Sequence, residues 1–204
     1  MALRGSSVIL GQSKKAAPIL FWIETYLRRM KAEWPSANLA IVFDIDDTIL
    51  IGYPQKPDVA VWKLYKLAQS MGFSIFFVTA RVLMDDNYKH TMKQLKELGF
   101  GQYNGLYLMG PEYLKEPDFS LYKYRIRQGL HDAGYNIVLN MGDTWHDLML
   151  LTPYRNQSKQ VSKITYLTSL PKRDYVIFRP PDVAWMAVKF PERPMTKAER
   201  ESEE

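Results

Sequence analysis

The chain has no cysteine among its 204 residues, which excludes disulfide staples, thiolate metal sites and cysteine nucleophiles. Histidine is nearly absent as well: His90, His131 and His146 are the only three, and they are scattered along the chain. A metal ion would therefore have to sit on carboxylate oxygens, which favours hard cations and Mg2+ above all. No apolar run approaches the roughly 20 residues that cross a bilayer. Residues 1–12 offer only Val8-Ile9-Leu10 before Lys14 and Lys15 interrupt, too little for a secretory leader. The expected setting is thus the cytoplasm, with no membrane partner.

The chain is 47% hydrophobic and 24% charged, apolar enough to build a core and to rule out a disordered polymer. Its length suits one domain with room for a small insertion. The formal net charge is +5. The segment 192–204 is rich in glutamate, so the body before it is more basic than the whole. A basic body suits an anionic small substrate or nucleic acid, and the sign alone does not choose.

Periodicity organises the rest. Ile19, Leu20, Trp22, Ile23, Tyr26, Leu27 and Met30 recur at helical spacing and predict a helix over 16–34. Continuous branched and aromatic runs predict buried strands at 39–43, 73–78, 105–109 and 136–141. Helices are expected at 59–70, 85–98 and 122–133, closed by Met71-Gly72, Gly99 and Gly134. Further strands are expected at 164–167 and 175–178, and a last helix at 182–188. Strands alternating with helices imply parallel βαβ units with right-handed crossovers. The fold class is α/β: a central parallel sheet flanked by helices, one domain over 1–191. An irregular insertion is expected at about 50–60, where Gly52, Pro54 and Pro57 break the pattern. Residues 192–204 read as a charged, solvated tail.

Three of these strands end in polar residues, at Asp44, Thr79 and Asp143. In open parallel sheets ligands bind beyond the carboxyl ends of the strands, so these residues should converge. Asp44-Ile45-Asp46-Asp47-Thr48 packs three acids into four positions directly after an apolar strand. Repulsion and partial burial would be unfavourable there without a compensating cation. A helix cap would use one carboxylate and leave the others unexplained.

At this point the sequence resembles the haloacid dehalogenase superfamily of phosphohydrolases. The first motif of that superfamily is similar to Phe43-Asp44-Ile45-Asp46-Asp47-Thr48, and the second to Val78-Thr79-Ala80-Arg81. The fourth is similar to Gly142-Asp143-Thr144-Trp145-His146-Asp147, and Lys123 resembles the lysine of the third. The run Gly134-Tyr135-Asn136-Ile137 followed by Gly142-Asp143 and Trp145 resembles the subfamily IIIB acid phosphatases, which include the bacterial class B enzymes and the plant acid phosphatase and vegetative storage protein group. The resemblance implies a Rossmann-like core with a small cap insertion. It also implies a Mg2+-dependent phosphomonoesterase acting through an aspartyl-phosphate on a small phosphorylated substrate, a nucleotide among the candidates.

The same resemblance implies the roles. Asp44 is the nucleophile and a metal ligand, and Asp46 is the acid and base, its backbone carbonyl offered to the metal. Thr79 and Lys123 hold phosphoryl oxygens, and Asp143 and Asp147 complete the metal set. Neighbouring negative charge is expected to raise the pKa of Asp46. Asp47 is expected to be a supporting carboxylate, Arg81 either a substrate contact or a salt bridge, Tyr53 a gate on the cap, and His146 structural. Two alternatives stay open: a nucleic-acid 3′-phosphatase, suggested by the basic body, and a non-catalytic storage or binding protein on the same scaffold. Retention of Asp44, Asp46, Asp143 and Asp147 argues against the second.

Overall fold

The computed structural model describes residues 17–113, 118–148, 164–170, 173–178 and 186–189. Helix α1 (Ala17–Glu33) buries Ile23, Leu27 and Met30, spaced four and three apart as one helical face requires. Strand β1 (Leu39–Phe43) is buried at every position. Its odd residues Leu39, Ile41 and Phe43 enter one core with Leu27, Leu64, Tyr65 and Phe77, while Ala40 and Val42 enter a second with Phe76, Val78, Leu130 and Ile137. Two-sided burial explains why this strand reads as an unbroken apolar run rather than an alternating one.

Strands β2 (Leu50–Ile51) and β3 (Lys56–Pro57) pair antiparallel into a small ribbon. The ribbon lies within the irregular segment at about 50–60. Helix α2 (Val59–Ser70) follows, capped by Asp58, whose Oδ1 accepts from the amides of Ala60 and Val61. Then come β4 (Ser74–Val82), α3 (Asp85–Glu97), β5 (Gly105–Met109), α4 (Phe119–Asp132) and β6 (Asn136–Gly142). The remaining strands are β7 (Ile164–Leu170), β8 (Arg173–Phe178) and β9 (Ala187–Lys189).

The sheet order is β5-β4-β1-β6-β9-β8-β7. The first five strands in this order run parallel, and β8 and β7 extend the sheet antiparallel. The α/β class with a central parallel sheet is therefore what the sequence pattern predicts. Strand β1 lies between β4 and β6, so the three polar strand ends are neighbours at the middle of one sheet edge.

Three expectations need correction. The last helix is not formed as expected, because Ala187 and Val188 belong to β9, which pairs with β6 and β8; residues 182–185 lie outside the described residues. Helix α4 starts at Phe119 rather than 122, because Asp118 caps it by accepting from the Leu121 amide at 2.8 Å. Strand β4 continues through Val82, so Thr79 and Arg81 both sit on it, and both side chains reach Asp46. The expected leader-free start at 1–12 and the tail 192–204 lie outside the described residues.

Candidate active site

The loop after β1 is fixed by its apolar residues. Ile45, Ile49 and Leu50 are fully buried, and the Ile45 carbonyl accepts from the amides of Ile49 and Leu50, both at 3.0 Å. The Asp44 amide donates to Met141 at 2.9 Å and so continues the β1–β6 ladder by one residue. With these anchors in place, Asp44 and Asp46 are held at the sheet edge. Asp47 takes a left-handed backbone, φ 53°, a conformation Asp tolerates better than most residues.

Asp44 is 5% exposed. Its Oδ1 lies 2.6 Å from Lys123 Nζ, and its Oδ2 accepts from Thr48 at 3.3 Å. Lys123 also donates to Asp147 Oδ1, so one buried ammonium joins two buried carboxylates. The amide and hydroxyl of Thr144 both donate to Asp147 Oδ2 at 2.8 Å. A Cβ on Gly142 would overlap the Asp147 side chain. That position has to be glycine for the turn after β6 to fold Asp147 back over the strand end.

Ligand oxygens of Asp44, Asp143 and Asp147 all lie within 4.8 Å of one another. The first comes from the end of β1, Asp143 from the end of β6 and Asp147 from the short turn that follows it. Three carboxylates facing one ammonium leave negative charge in excess, and the proton affinities register it. Burial, followed by the charges of Asp147 and Asp143, raises Asp44 well above the ordinary carboxylate range against the pull of Lys123. Burial and the Asp147 charge push Asp143 up to about 7. For Asp147 burial works upward as well, but the charge and hydrogen bond of Lys123 and the Thr144 donors outweigh it and hold the pKa low. Burial would lower Lys123, yet Asp147 and Asp44 hold it well above the ordinary amine value. Oxygen donors arranged in this way, with charge left over, fit a hard divalent cation.

Asp46 has a different setting. Its side chain is 43% exposed and is gripped by Arg81, with Nε 2.9 Å from Oδ2 and Nη2 2.7 Å from Oδ1. This two-point geometry is the strongest form of carboxylate pairing. Gln55, from the β2–β3 ribbon, adds a bond of 2.7 Å to Oδ1, and Thr79 a longer one of 3.4 Å to Oδ2. Arg81 is itself held by Gln55, Thr91 and Gln94, and Gln94 donates to Gln55 at 2.8 Å. The expected rise in the pKa of Asp46 is thus reversed. Burial does raise it, but the Arg81 hydrogen bond and charge, with Gln55, bring it below the ordinary value. Arg81 forms the salt bridge expected as one of its two roles.

The expected residues therefore fall into two groups. Asp44, Lys123, Asp143 and Asp147 meet in the buried pocket, and Asp46, Thr79 and Arg81 meet at its rim. The Asp46 side chain is not among the clustered carboxylates. Tyr53, expected as a gate, stands fully exposed on the ribbon, and Gln55 of the same segment hydrogen-bonds Asp46 and Arg81. His146 is half-buried beside Phe119, their rings 6.1 Å apart. Sequence reasoning missed Gln55, Thr144, Asn140 and Arg127. Only Thr144 left a signal, its place three residues before Asp147 at the head of a turn, which is the spacing of a capping box.

The family model of the HAD superfamily, subfamily IIIB (acid phosphatase), matches residues 53–171, a span that holds Thr79, Lys123, Asp143 and Asp147 and starts after Asp44 and Asp46. The stem 28 kDa glycoprotein of Glycine max is 37% identical over 87 residues, 43% of this chain and 34% of that protein. Acid phosphatase 1 of Solanum lycopersicum is 26% identical over 133 residues, 53% of this chain and 51% of that one. The matches thus span between a third and a half of these relatives. Among solved structures, the class C acid phosphatase from Bacillus anthracis superposes with a TM-score of 0.50 at 21% identity, covering 63% of this chain and 61% of that one, a likeness of fold. More than half of the sequence lies inside the family match, and the chain belongs to the HAD superfamily, subfamily IIIB.

Proposed function

We propose that this chain is a Mg2+-dependent phosphomonoesterase in which Asp44 is transiently phosphorylated. The observation that carries the reading is the buried meeting of Asp44, Asp143 and Asp147 around Lys123, reached from two separate strand ends. An isolated group of three carboxylates and one ammonium is costly to bury, and a phosphoryl-transfer site supplies the cation that justifies it.

Asp44, Asp143 and Asp147 would hold the metal ion, which, when bound, screens negative charge so that a carboxylate can approach a phosphate. Lys123 and Thr79 would donate to phosphoryl oxygens, stabilising charge that builds up during transfer. In the first step an Asp44 oxygen bonds to phosphorus, the bond from phosphorus to the ester oxygen breaks, and the departing alkoxide takes a proton from solvent water. In the second, water attacks phosphorus while Asp46 accepts a proton from that water, the bond from phosphorus to Asp44 breaks, inorganic phosphate leaves, and Asp46 passes its proton to solvent. Arg81 and Gln55 keep Asp46 ionised at rest, the state a base requires. The substrate we infer is a small phosphomonoester, processed by a single α/β domain in which the β2–β3 ribbon is the cap insertion. Among the described residues no helix is long and apolar enough to cross a membrane.

Hydrolysis of p-nitrophenyl phosphate tests the reading. It should stop on chelation with EDTA, return on addition of Mg2+, and be absent in Asp44→Asn whatever the metal supply. Full turnover in EDTA, or wild-type turnover in Asp44→Asn, overturns it. A screen over nucleotides, sugar phosphates and 3′-phosphorylated oligonucleotides then separates the small-substrate reading from action on nucleic acid ends.

A further inference from the structure

Helix α4 carries two cations one turn apart, Lys123 and Arg127, on the same face. Lys123 reaches the Asp147 carboxylate. Arg127 is fully buried, and its Nη1 donates to the backbone carbonyl of Asp147 at 2.7 Å. A second donor meets the same oxygen: Asn140 Nδ2, from β6, at 3.0 Å. Asn140 is 1% exposed, and its own backbone amide donates to Met186 at 2.9 Å, beside β9. Asp147 is therefore gripped at both ends, by an ammonium at the carboxylate and by a guanidinium and an amide at the carbonyl.

The carbonyl at the end of a short 3-10 turn has no helical partner of its own. Burying it without donors would be unfavourable, and a turn of three residues, Trp145–Asp147, has little internal stiffness to hold a side chain in place. Arg127 and Asn140 tie this turn to the helix on one side and to the strand on the other. Both touch the backbone carbonyl of Asp147 and not its carboxylate, so what they contribute through these contacts is transmitted by the position of Asp147.

We propose that Arg127 and Asn140 are positioning residues that preorganise Asp147 for divalent-metal binding, an inference that rests on the metal reading above. Partners that orient metal ligands without touching the metal typically change affinity by about 10–100-fold. A purely structural role would lower stability and leave the affinity of the folded protein unchanged.

The experiment is calorimetric titration of the metal-free full chain with Mg2+, alongside thermal unfolding of the same samples. Asn140→Leu keeps the branched outline of the side chain and removes the donor; Arg127→Lys keeps the charge and shortens the reach; Arg127→Met removes the charge. The expected result is Mg2+ binding weakened about tenfold or more in Asn140→Leu and Arg127→Met, with Arg127→Lys intermediate, all in protein that still unfolds cooperatively. If Arg127→Met does not fold, Asn140→Leu and Arg127→Lys decide. Affinities within about twofold of the wild type in the folded variants overturn the inference. Asp143→Asn is the control: loss of binding there, with unchanged binding in the Asn140 and Arg127 variants, leaves the metal reading intact and removes only the positioning role. A wild-type chain that binds no Mg2+ brings down both.

Discussion

Asp44 and Asp46 are two residues apart, and each faces a single cation, yet they hold their protons in opposite ways. Asp44 is buried with Lys123 among two further carboxylates, and burial together with like charge raises its pKa. Asp46 sits at the half-exposed rim, where the forked contact of Arg81 and the amide of Gln55 lower it. The comparison teaches that the number of nearby charges does not set the outcome. One ammonium shared between two carboxylates leaves a surplus of negative charge, and one guanidinium devoted to a single carboxylate leaves none. The surplus side calls for a further cation, and the balanced side is complete as it stands.

That contrast can be broken at several points. The largest effect is expected on activity: Asp44→Asn removes the nucleophile and should lower kcat by more than about 10⁴-fold, while Asp46→Asn, which removes proton transfer, should cost about 10²–10⁴-fold. Steady-state turnover of p-nitrophenyl phosphate ranks the two, and a milder effect for Asp44→Asn would reverse the assignment. Next is Lys123→Met, which leaves Asp44 and Asp147 buried without their ammonium. Metal-free protein should lose about 3–5 kcal/mol in urea unfolding, and Mg2+ should restore part of it; an unchanged midpoint would mean that the pair is already neutral. Gly142→Ala forces a Cβ into the Asp147 side chain and should cost about 1–3 kcal/mol together with Mg2+ affinity.

The smallest effect should come from the rim. Arg81→Met removes a partly exposed pair, worth about 1 kcal/mol or less. Because Asp46 has a lowered pKa in the folded chain, the contribution of the pair is present above the ordinary carboxylate range and fades as pH falls through the lowered folded value. The stability gap between wild type and Arg81→Met should therefore be widest near neutral pH and close in acid. A gap that grows in acid contradicts the assignment.

Much of the fold was legible because burial on both faces writes itself as continuous apolar runs. β1 and β5 coincide with 39–43 and 105–109, and the order of strand, polar end and helix located the site edge. β9 was not legible. Three residues are too few to show a period, and 182–188 carries apolar spacing that a helix would also satisfy. In the site, Asp44, Lys123, Asp143 and Asp147 were readable as a motif set. The misreading of Asp46 has a definite cause: its nearest charges along the chain are acids, whereas its partner Arg81 lies 35 positions away. Arg127 and Asn140 were invisible for a related reason, since their partner is a backbone carbonyl, which has no letter in the sequence.

The central claim is that Asp44, held in a buried carboxylate group with Lys123, becomes phosphorylated. The most direct measurement is peptide mapping by mass spectrometry of protein quenched during turnover of p-nitrophenyl phosphate with Mg2+. The account predicts one phosphoryl group on the peptide that contains Asp44, absent in EDTA and absent in Asp44→Asn. A phosphoryl group on a different residue, or steady turnover by Asp44→Asn at the wild-type rate, would contradict it.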